Sequence, residues 1–242
     1  MKKNILSVYQ KEQFNPGLLG LFINPFYIAR KGLYKNVSEM IQHLNGRILD
    51  IGCGSKPYEH LCNATEYVGL EIDSPEKRRK TAADYFYDGE KMPFEDKSFD
   101  NLIANQVFEH VFNPSYFLKE GNRILKIGGK FLMTVPFVWD EHEQPYDYAR
   151  YSSFGLKHIF KENGFKIVEH RKINDGIEVI FQLINDYIYK VTLTKNPYLN
   201  LLAGFIFMSP FNIAGIVLAK ILPRNKDLYL DNIILAEKVR DI

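Results

Sequence analysis

Cysteine is scarce in this chain: 242 residues include two, Cys53 and Cys62. Their spacing fits neither a metal-ligand pattern nor a disulfide framework, so a zinc module and a stapled secreted domain are both unexpected. Neither sign of charge is in excess, with 31 basic against 29 acidic residues and a formal net charge of +2. No whole-chain electrostatic reason to expect a nucleic-acid partner remains, and the cluster Lys77-Arg78-Arg79-Lys80 reads as the solvated face of a short helix. Internal repeats and low-complexity tracts are missing. The opening Met1-Lys-Lys-Asn-Ile-Leu is interrupted by Gln10, Lys11 and Glu12 too soon for a signal peptide, so a cytoplasmic location is expected. The last absence is local: Asn196 to Ala219 contains no charged residue.

The most informative stretch runs from Gly46 to Tyr58. An apolar strand, Arg47 to Ile51, leads into Gly52-Cys53-Gly54, whose glycines permit a tight turn and close approach of backbone to a ligand. Nineteen residues after Gly52, a second strand, Tyr67 to Leu70, ends on Glu71, a carboxylate placed to accept hydrogen bonds from both hydroxyls of a ribose. Two details argue against a dinucleotide. A pyrophosphate fingerprint wants a third glycine where this chain has Pro57, and Asp50 at the strand's carboxyl end repels phosphate while attracting a cation.

At this point the chain resembles the class I S-adenosylmethionine-dependent methyltransferases, whose first motif is an acidic residue followed by Gly-x-Gly. S-adenosylmethionine carries an ammonium and a sulfonium and no phosphate, which fits Asp50. The third glycine common in that motif is Lys56 here. Further segments follow in the family's order. Tyr87 to Asp100 resembles the connection between strands three and four, with Asp88 and Gly89 at the positions that contact adenine. Gln106-Val-Phe-Glu-His-Val111 is similar to the segment beneath the methionine moiety, and Leu118 to Pro136 resembles its helix, Gly-Gly turn and fifth strand. The resemblance covers roughly residues 46 to 172 and implies a donor site formed by Asp50, Gly52, Cys53, Gly54, Glu71, Ile72, Asp88, Gly89, Asn105, Gln106 and His110.

The expected fold is α/β: a Rossmann-like, doubly wound sheet of seven strands, mostly parallel with an antiparallel last strand. Strands are expected near 47–51, 67–71, 84–87, 99–105, 130–136, 165–170 and 228–236, with a helix from Ser153 to Asn163. Residues 1–45 form a helical leader, patterned by Leu33, Val37, Met40, Ile41 and Leu44, and residues 46–242 form the donor-binding domain. Within it, the apolar insertion 196–222 precedes the last strand. Its length approaches a membrane span, but a single crossing would put the last strand on the wrong side, and Ser209-Pro210 is expected to split the run into pieces too short to cross. Three readings stay open for it: a helical hairpin or lid, a membrane-surface element, and a homodimer contact.

Loops beyond the carboxyl ends of parallel strands are where open α/β sheets bind ligands. The segment after strand five, Pro136 to Tyr151, is dense in His, acids and aromatics, and its His-Glu-x-Pro-Tyr-Asp-Tyr-x-Arg-Tyr run resembles a methyltransferase subgroup associated with bacterial surface polysaccharides and glycoconjugates. It nominates Trp139, His142, Glu143, Tyr146, Arg150 and Tyr151 for a small-molecule or glycoconjugate acceptor. His142 is the favoured general base, oriented by Glu143 or Asp147, with His110 the second candidate. The same groups could instead merely pin the loop, and Arg150 could clamp an anionic acceptor or pair with Asp147. Adjacent residues Asp140 to Glu143 point in different directions, so no metal is expected from that run. Rival functions are a non-catalytic donor-binding module and a nicotinamide-dependent oxidoreductase.

Overall fold

The computed structural model describes residues 11–242, which leaves the opening segment considered as a signal peptide outside the described residues. Seven strands form one sheet: β1 (Asn45–Ile51), β2 (Asn63–Ile72), β3 (Tyr85–Tyr87), β4 (Phe99–Asn105), β5 (Leu125–Pro136), β6 (Phe165–Asp175) and β7 (Tyr229–Lys238). Their order is β3-β2-β1-β4-β5-β7-β6, with β1, β2, β3, β4 and β5 mutually parallel and β7 entering antiparallel between β5 and β6. The order reverses direction at β1 and β4, the switch point where such sheets open a crevice for ligands.

Helices accompany the strands, among them α1 (Gly20–Ile23), α2 (Tyr27–Met40), α3 (Pro75–Lys80), α4 (Pro114–Ile124), α5 (Ser153–Glu162), α6 (Ile177–Thr192), α7 (Pro197–Ala203) and α8 (Ser209–Ala219). Capping is readable in the sequence. Ser74, Asn113 and Ser152 each accept a backbone N–H from the first turn of α3, α4 and α5, and Pro75 and Pro114 stand where a missing N–H costs nothing.

The chain divides into two compact units. The larger comprises residues 37–137, 141–171 and 232–242. Its core places β1, β4 and β5 residues Leu49, Ile51, Leu102, Ala104, Phe131 and Met133 against Leu118 of α4 and Phe160 of α5. Strand β4 falls where the sequence predicts it. Strand β5 begins earlier than predicted, at Leu125 directly after α4, and the expected Gly128-Gly129 turn is absorbed as an irregularity in its pairing with β4. Gly128 takes a φ of +79°, and a side chain at Gly129 would collide with the Asp100 carbonyl.

The other unit comprises residues 11–36 of the described chain, 138–140 and 172–231. Ile28, Ala29, Val179 and Leu230 form its apolar center, with Trp139 and Phe181 packed against it. Gln182 of α6, wholly buried, accepts from the Ala29 N–H and donates to the Pro25 carbonyl, and Asn212 of α8 donates to the carbonyls of Leu21 and Asn24. These two amides satisfy backbone groups that the helix ends and loops would otherwise bury unpaired.

One expectation for this unit is corrected. Ser209-Pro210 does not split the apolar run; residues Pro197–Ala219 form one continuous helical rod of 23 residues, so it is not a hairpin. The accommodation is a wide π turn over Gly204–Met208 immediately before the proline, which loosens the backbone where Pro210 lacks an N–H. The Ser209 hydroxyl donates to the Phe205 carbonyl at 2.6 Å, satisfying a group that the proline leaves open.

Candidate functional site

The carboxyl ends of β1 and β2 lie side by side in parallel register, Asp50 opposite Gly69 and Ile51 opposite Leu70. Beyond them the chain turns sharply: Gly52 and Cys53 both donate to the Leu70 carbonyl, and Gly52, Gly54 and Lys56 all have φ between +50° and +69°. The two glycines differ in what they face. A side chain at Gly52 would strike Val107, whereas one at Gly54 would project into open space. Gly54 therefore marks where the loop leaves room for a ligand, and Gly52 where the loop packs on the protein.

Lys56 stands in the family's usual glycine position and holds the left-handed conformation nonetheless. Its stem lies across Gly69, where no Cβ would fit, and its ammonium meets Asp84 at 2.6 Å. Asp84 also accepts the Gly69 N–H at 2.7 Å, so one ion pair ties the turn to β2.

Two carboxylates border this turn. Asp50 is buried and accepts the Tyr67 hydroxyl at 2.7 Å. Burial pushes its carboxyl up to about 7; Tyr67's hydrogen bond opposes the shift and the nearby Glu71 charge adds to it. Glu71, also buried, accepts the Gly54 N–H at 3.3 Å, and its other oxygen lies 3.5 Å from the Lys77 ammonium. A buried acid pushed this far toward neutrality is matched by a cationic ligand, which favours its charged form. Cys53 is not a nucleophile here, because burial first, then the Asp50 and Glu71 charges, push its thiol up to about 12.

The remaining predicted donor-site residues belong to the same larger unit, at or just beyond the carboxyl ends of β2, β3 and β4. Asp88 accepts the Glu90 N–H in a local turn, and Gly89, at φ +92°, packs against the half-exposed side chain of Ile72. Asn105 and Gln106 end β4 and are fastened to Thr134 of β5: the Thr134 hydroxyl donates to Asn105 Oδ1 at 2.6 Å, and the Gln106 N–H donates to Thr134. Gln106 itself is left-handed, φ +55°, and swings the chain into a tight turn over Phe108–His110.

That turn is bonded to the loop after β5. The Tyr148 and Ala149 N–H groups both donate to the Glu109 carbonyl, and His110 Nδ1 donates to the Tyr146 carbonyl at 2.9 Å. His110 and His142 consequently meet edge to face, ring centroids 4.9 Å apart. Asp147 is the partner that orients His142, accepting its backbone N–H at 2.9 Å and lying 3.2 Å from its Nδ1. Arg150 grips both Asp147 oxygens, at 2.5 and 2.6 Å. Burial alone would raise the Asp147 carboxyl, but Arg150's fork, the His142 N–H and the Arg150 charge outweigh it and hold it at about 2.

Not every residue nominated from the acceptor segment joins this group. Trp139 packs on Phe26, centroids 5.9 Å apart, inside the smaller unit. Tyr151 stacks on Phe108 of the larger core at 4.9 Å, while Tyr146 is exposed and Glu143, at φ +48°, forms the loop's bend. Arg150 takes the second of its two predicted roles, pairing with Asp147. Sequence reasoning passed over Tyr67, the Lys56–Asp84 pair and, most consequentially, Glu109. Glu109 is wholly buried, and its Oε1 lies 3.9 Å from Nε2 of both His110 and His142. The one available signal was its position beside His110 in the segment after β4.

Comparison with known proteins agrees with this fold. The family model for the methyltransferase domain matches residues 49–133. An uncharacterized protein of Methanocaldococcus jannaschii is 26% identical over 151 residues, spanning 57% of this chain and 74% of that one. A ubiquinone biosynthesis O-methyltransferase of Pelagibacter ubique is 30% identical over 102 residues, 38% of this chain and 42% of its own length. Among solved structures, the cyclase SpnF superposes with a TM-score of 0.57 at 19% identity, covering 87% of this chain and 82% of that one. Phosphoethanolamine N-methyltransferase 2 of Haemonchus contortus, solved in complex with S-adenosyl-L-methionine, gives 0.54 at 18% identity, over 95% and 59%. The structural likenesses establish the fold, which evidently serves a cyclase as well as methyltransferases, so the chemistry must be argued from the site.

Proposed function

The chain belongs to the class I S-adenosylmethionine-dependent methyltransferases, and from that premise we propose that it methylates an oxygen or nitrogen of a small-molecule or glycoconjugate acceptor. The observation that carries this reading is the pair of buried carboxylates, Asp50 and Glu71, on either side of a glycine turn with open space in front of Gly54. Asp50 suits the cationic end of the donor and Glu71 the ribose hydroxyls, while Asp88, Gly89 and Ile72 suit the adenine. Bound there, the donor supplies a methyl group on an electrophilic sulfonium.

The chain's own contribution is to position and to manage a proton. The acceptor's lone pair forms the new bond to the methyl carbon as the carbon–sulfur bond breaks, its electron pair leaving with sulfur to give S-adenosylhomocysteine. Holding the two in a near-attack arrangement supplies much of the rate. The proton released by the acceptor needs a destination, and the His110–His142 pair beside buried Glu109 is the polar group of the acceptor loop that fits the task. Asp147, fixed by Arg150, is a positioning residue for His142. Incubating the full chain with labelled donor and candidate acceptors, with His142→Ala as comparison, tests the reading: labelled product from the wild type and a rate at least tenfold lower in the variant support it, and absence of any transfer contradicts it.

We also infer a place of work at the cytoplasmic face of an anionic bilayer. Leu199, Leu202, Phe205, Ile206 and Phe207 of the 197–219 rod are each about half exposed, and only 28% of its most apolar window is buried. Between Tyr187 and Lys226 the sequence has five basic side chains and no acid; Lys190 and Arg224 pair with Asp140 and Asp175, and Lys195, Lys220 and Lys226 are the cations this reading relies on. An apolar face edged by cations matches a membrane interface better than a second identical cationic surface. A transverse crossing is disfavoured because β7, which follows the rod, pairs with β5 in the same sheet.

A further inference from the structure

The acceptor loop and the turn after β4 bring three electron-pair donors together: Glu109 Oε1, His110 Nε2 and His142 Nε2. Each imidazole nitrogen is 3.9 Å from the same carboxylate oxygen, and the candidate ligand atoms all lie within 4.8 Å of one another. Glu109 is wholly buried, while the side chains of His110 and His142 retain 18% and 30% of their exposure, so the group is closed below and open above.

The far side of each ring decides what the near side offers. His110 Nδ1 faces the Tyr146 carbonyl, which can only accept, so the ring carries a proton on Nδ1. His142 Nδ1 faces the Asp147 carboxylate, itself neutralised by Arg150, and is protonated there for the same reason. A neutral imidazole protonated on Nδ1 presents a lone pair on Nε2, and in both rings Nε2 is the nitrogen nearest the Glu109 carboxylate. Outer partners of this kind, a carbonyl behind one histidine and a carboxylate behind the other, are what fixes ring orientation in metal-ligating histidines.

We propose that Glu109, His110 and His142 bind one divalent first-row transition metal, of the zinc, cobalt, manganese or iron(II) class, with at least one coordination position open to the acceptor. Two imidazoles and one carboxylate suit these ions better than magnesium or calcium. At metal–ligand distances of about 2.0–2.2 Å, ligand atoms stand roughly 3.3 Å apart in a tetrahedral site, so the carboxylate–imidazole gaps close by about 0.6 Å and the gap between the two imidazole nitrogens by at most about 1.5 Å. The ligands come from two separate loops joined by backbone hydrogen bonds, not from the adjacent run Asp140 to Glu143, and no local sequence spacing announces them. This inference rests on the acceptor-loop reading above and deepens it. An acceptor hydroxyl at the open position gives up its proton to solvent more readily, and its lone pair then attacks the methyl group. His142 in that case is a ligand and not the base.

The test is cobalt(II) titration of the full chain after chelator treatment, read by visible d–d absorption and by calorimetry, with S-adenosylhomocysteine binding measured in parallel. The expected result is saturable uptake of one equivalent, displaced by zinc(II), with affinity at least tenfold weaker in Glu109→Gln and in His142→Ala. Asp147→Asn, which touches no metal, should weaken uptake several-fold without abolishing it. S-adenosylhomocysteine binding retained by His142→Ala shows that variant to be folded, and covers the case in which Glu109→Gln does not fold. A wild type that binds S-adenosylhomocysteine but takes up no cobalt, its three donors sharing only a proton, overturns the metal site and leaves the methyltransferase reading intact. Equal uptake in the His110→Ala/His142→Ala double variant overturns it as well. Cobalt uptake without S-adenosylhomocysteine binding would instead contradict the methyltransferase reading.

Discussion

The Tyr67 hydroxyl donates to Asp50 across 2.7 Å, and this is the hydrogen bond that opposes neutralisation of the buried acid at the end of β1. Remove it and only the weaker pull of the Lys56 charge still opposes the burial cost. Tyr67→Phe should raise the Asp50 pKa beyond about 7 and weaken donor binding several-fold at neutral pH, with recovery in more alkaline buffer. Calorimetric titration with S-adenosylmethionine across pH 6 to 9 checks this; an affinity independent of pH in both proteins would contradict it.

Asp50→Asn separates stability from binding. The folded pKa of Asp50 lies above its ordinary value of 3.8, so the folded state holds its proton more firmly than the unfolded one. The stability this provides is complete below pH 3.8 and is lost as the pH rises through about 7. Asparagine, which never ionises, should therefore raise the Tm of the ligand-free protein at pH 8 by several degrees, on the order of 5 °C. Donor affinity should fall at least tenfold. Differential scanning calorimetry with and without ligand reads both effects.

The two glycines of the turn should respond oppositely to substitution. Gly54→Ala projects its methyl into the open cradle and should cost donor affinity at least tenfold for a backbone strain of about 1 kcal/mol. Gly52→Ala meets Val107 as well as a φ of +69°. Its main effect should be on folding, lowering Tm by several degrees. Comparable Tm losses in the two variants would contradict the assignment.

For the apolar rod, Phe205→Asp/Ile206→Asp should abolish cosedimentation of the full chain with vesicles containing phosphatidylserine, while turnover on a soluble acceptor persists. Wild-type binding should weaken with salt, because cations at the edges of the patch contribute. Failure of the wild type to bind anionic vesicles, together with a concentration-dependent dimer in sedimentation, would replace the membrane by a second copy of the chain.

The geometry of the proposed donor site was legible because its determinants are local. Strand, turn and carboxylate follow one another in sequence from Arg47 to Gly54 and again from Tyr67 to Glu71, and Asp50 and Glu71 become neighbours simply through parallel pairing of β1 and β2. Even the substitution of Lys56 for the usual glycine left the turn intact, for a reason the sequence did not announce: Asp84 holds its ammonium. The acceptor side was less legible. His110 and His142 are brought together by bonds to the backbone carbonyls of Glu109 and Tyr146, acceptors that carry no side-chain signature. Trp139 looked like a stacking platform by composition but spends its ring on Phe26. Ser209-Pro210 looked like a break, and a π turn absorbed it.

The central claim is that the crevice between β1 and β2 takes a cationic, phosphate-free nucleoside. Titration calorimetry of the full chain with S-adenosylmethionine and with NADH, on wild type and on Asp50→Ala and Glu71→Ala, tests it most directly. Saturable binding of S-adenosylmethionine alone, weakened at least tenfold by each substitution, is the predicted result. Binding of NADH, or S-adenosylmethionine affinity unchanged in both variants, would contradict it.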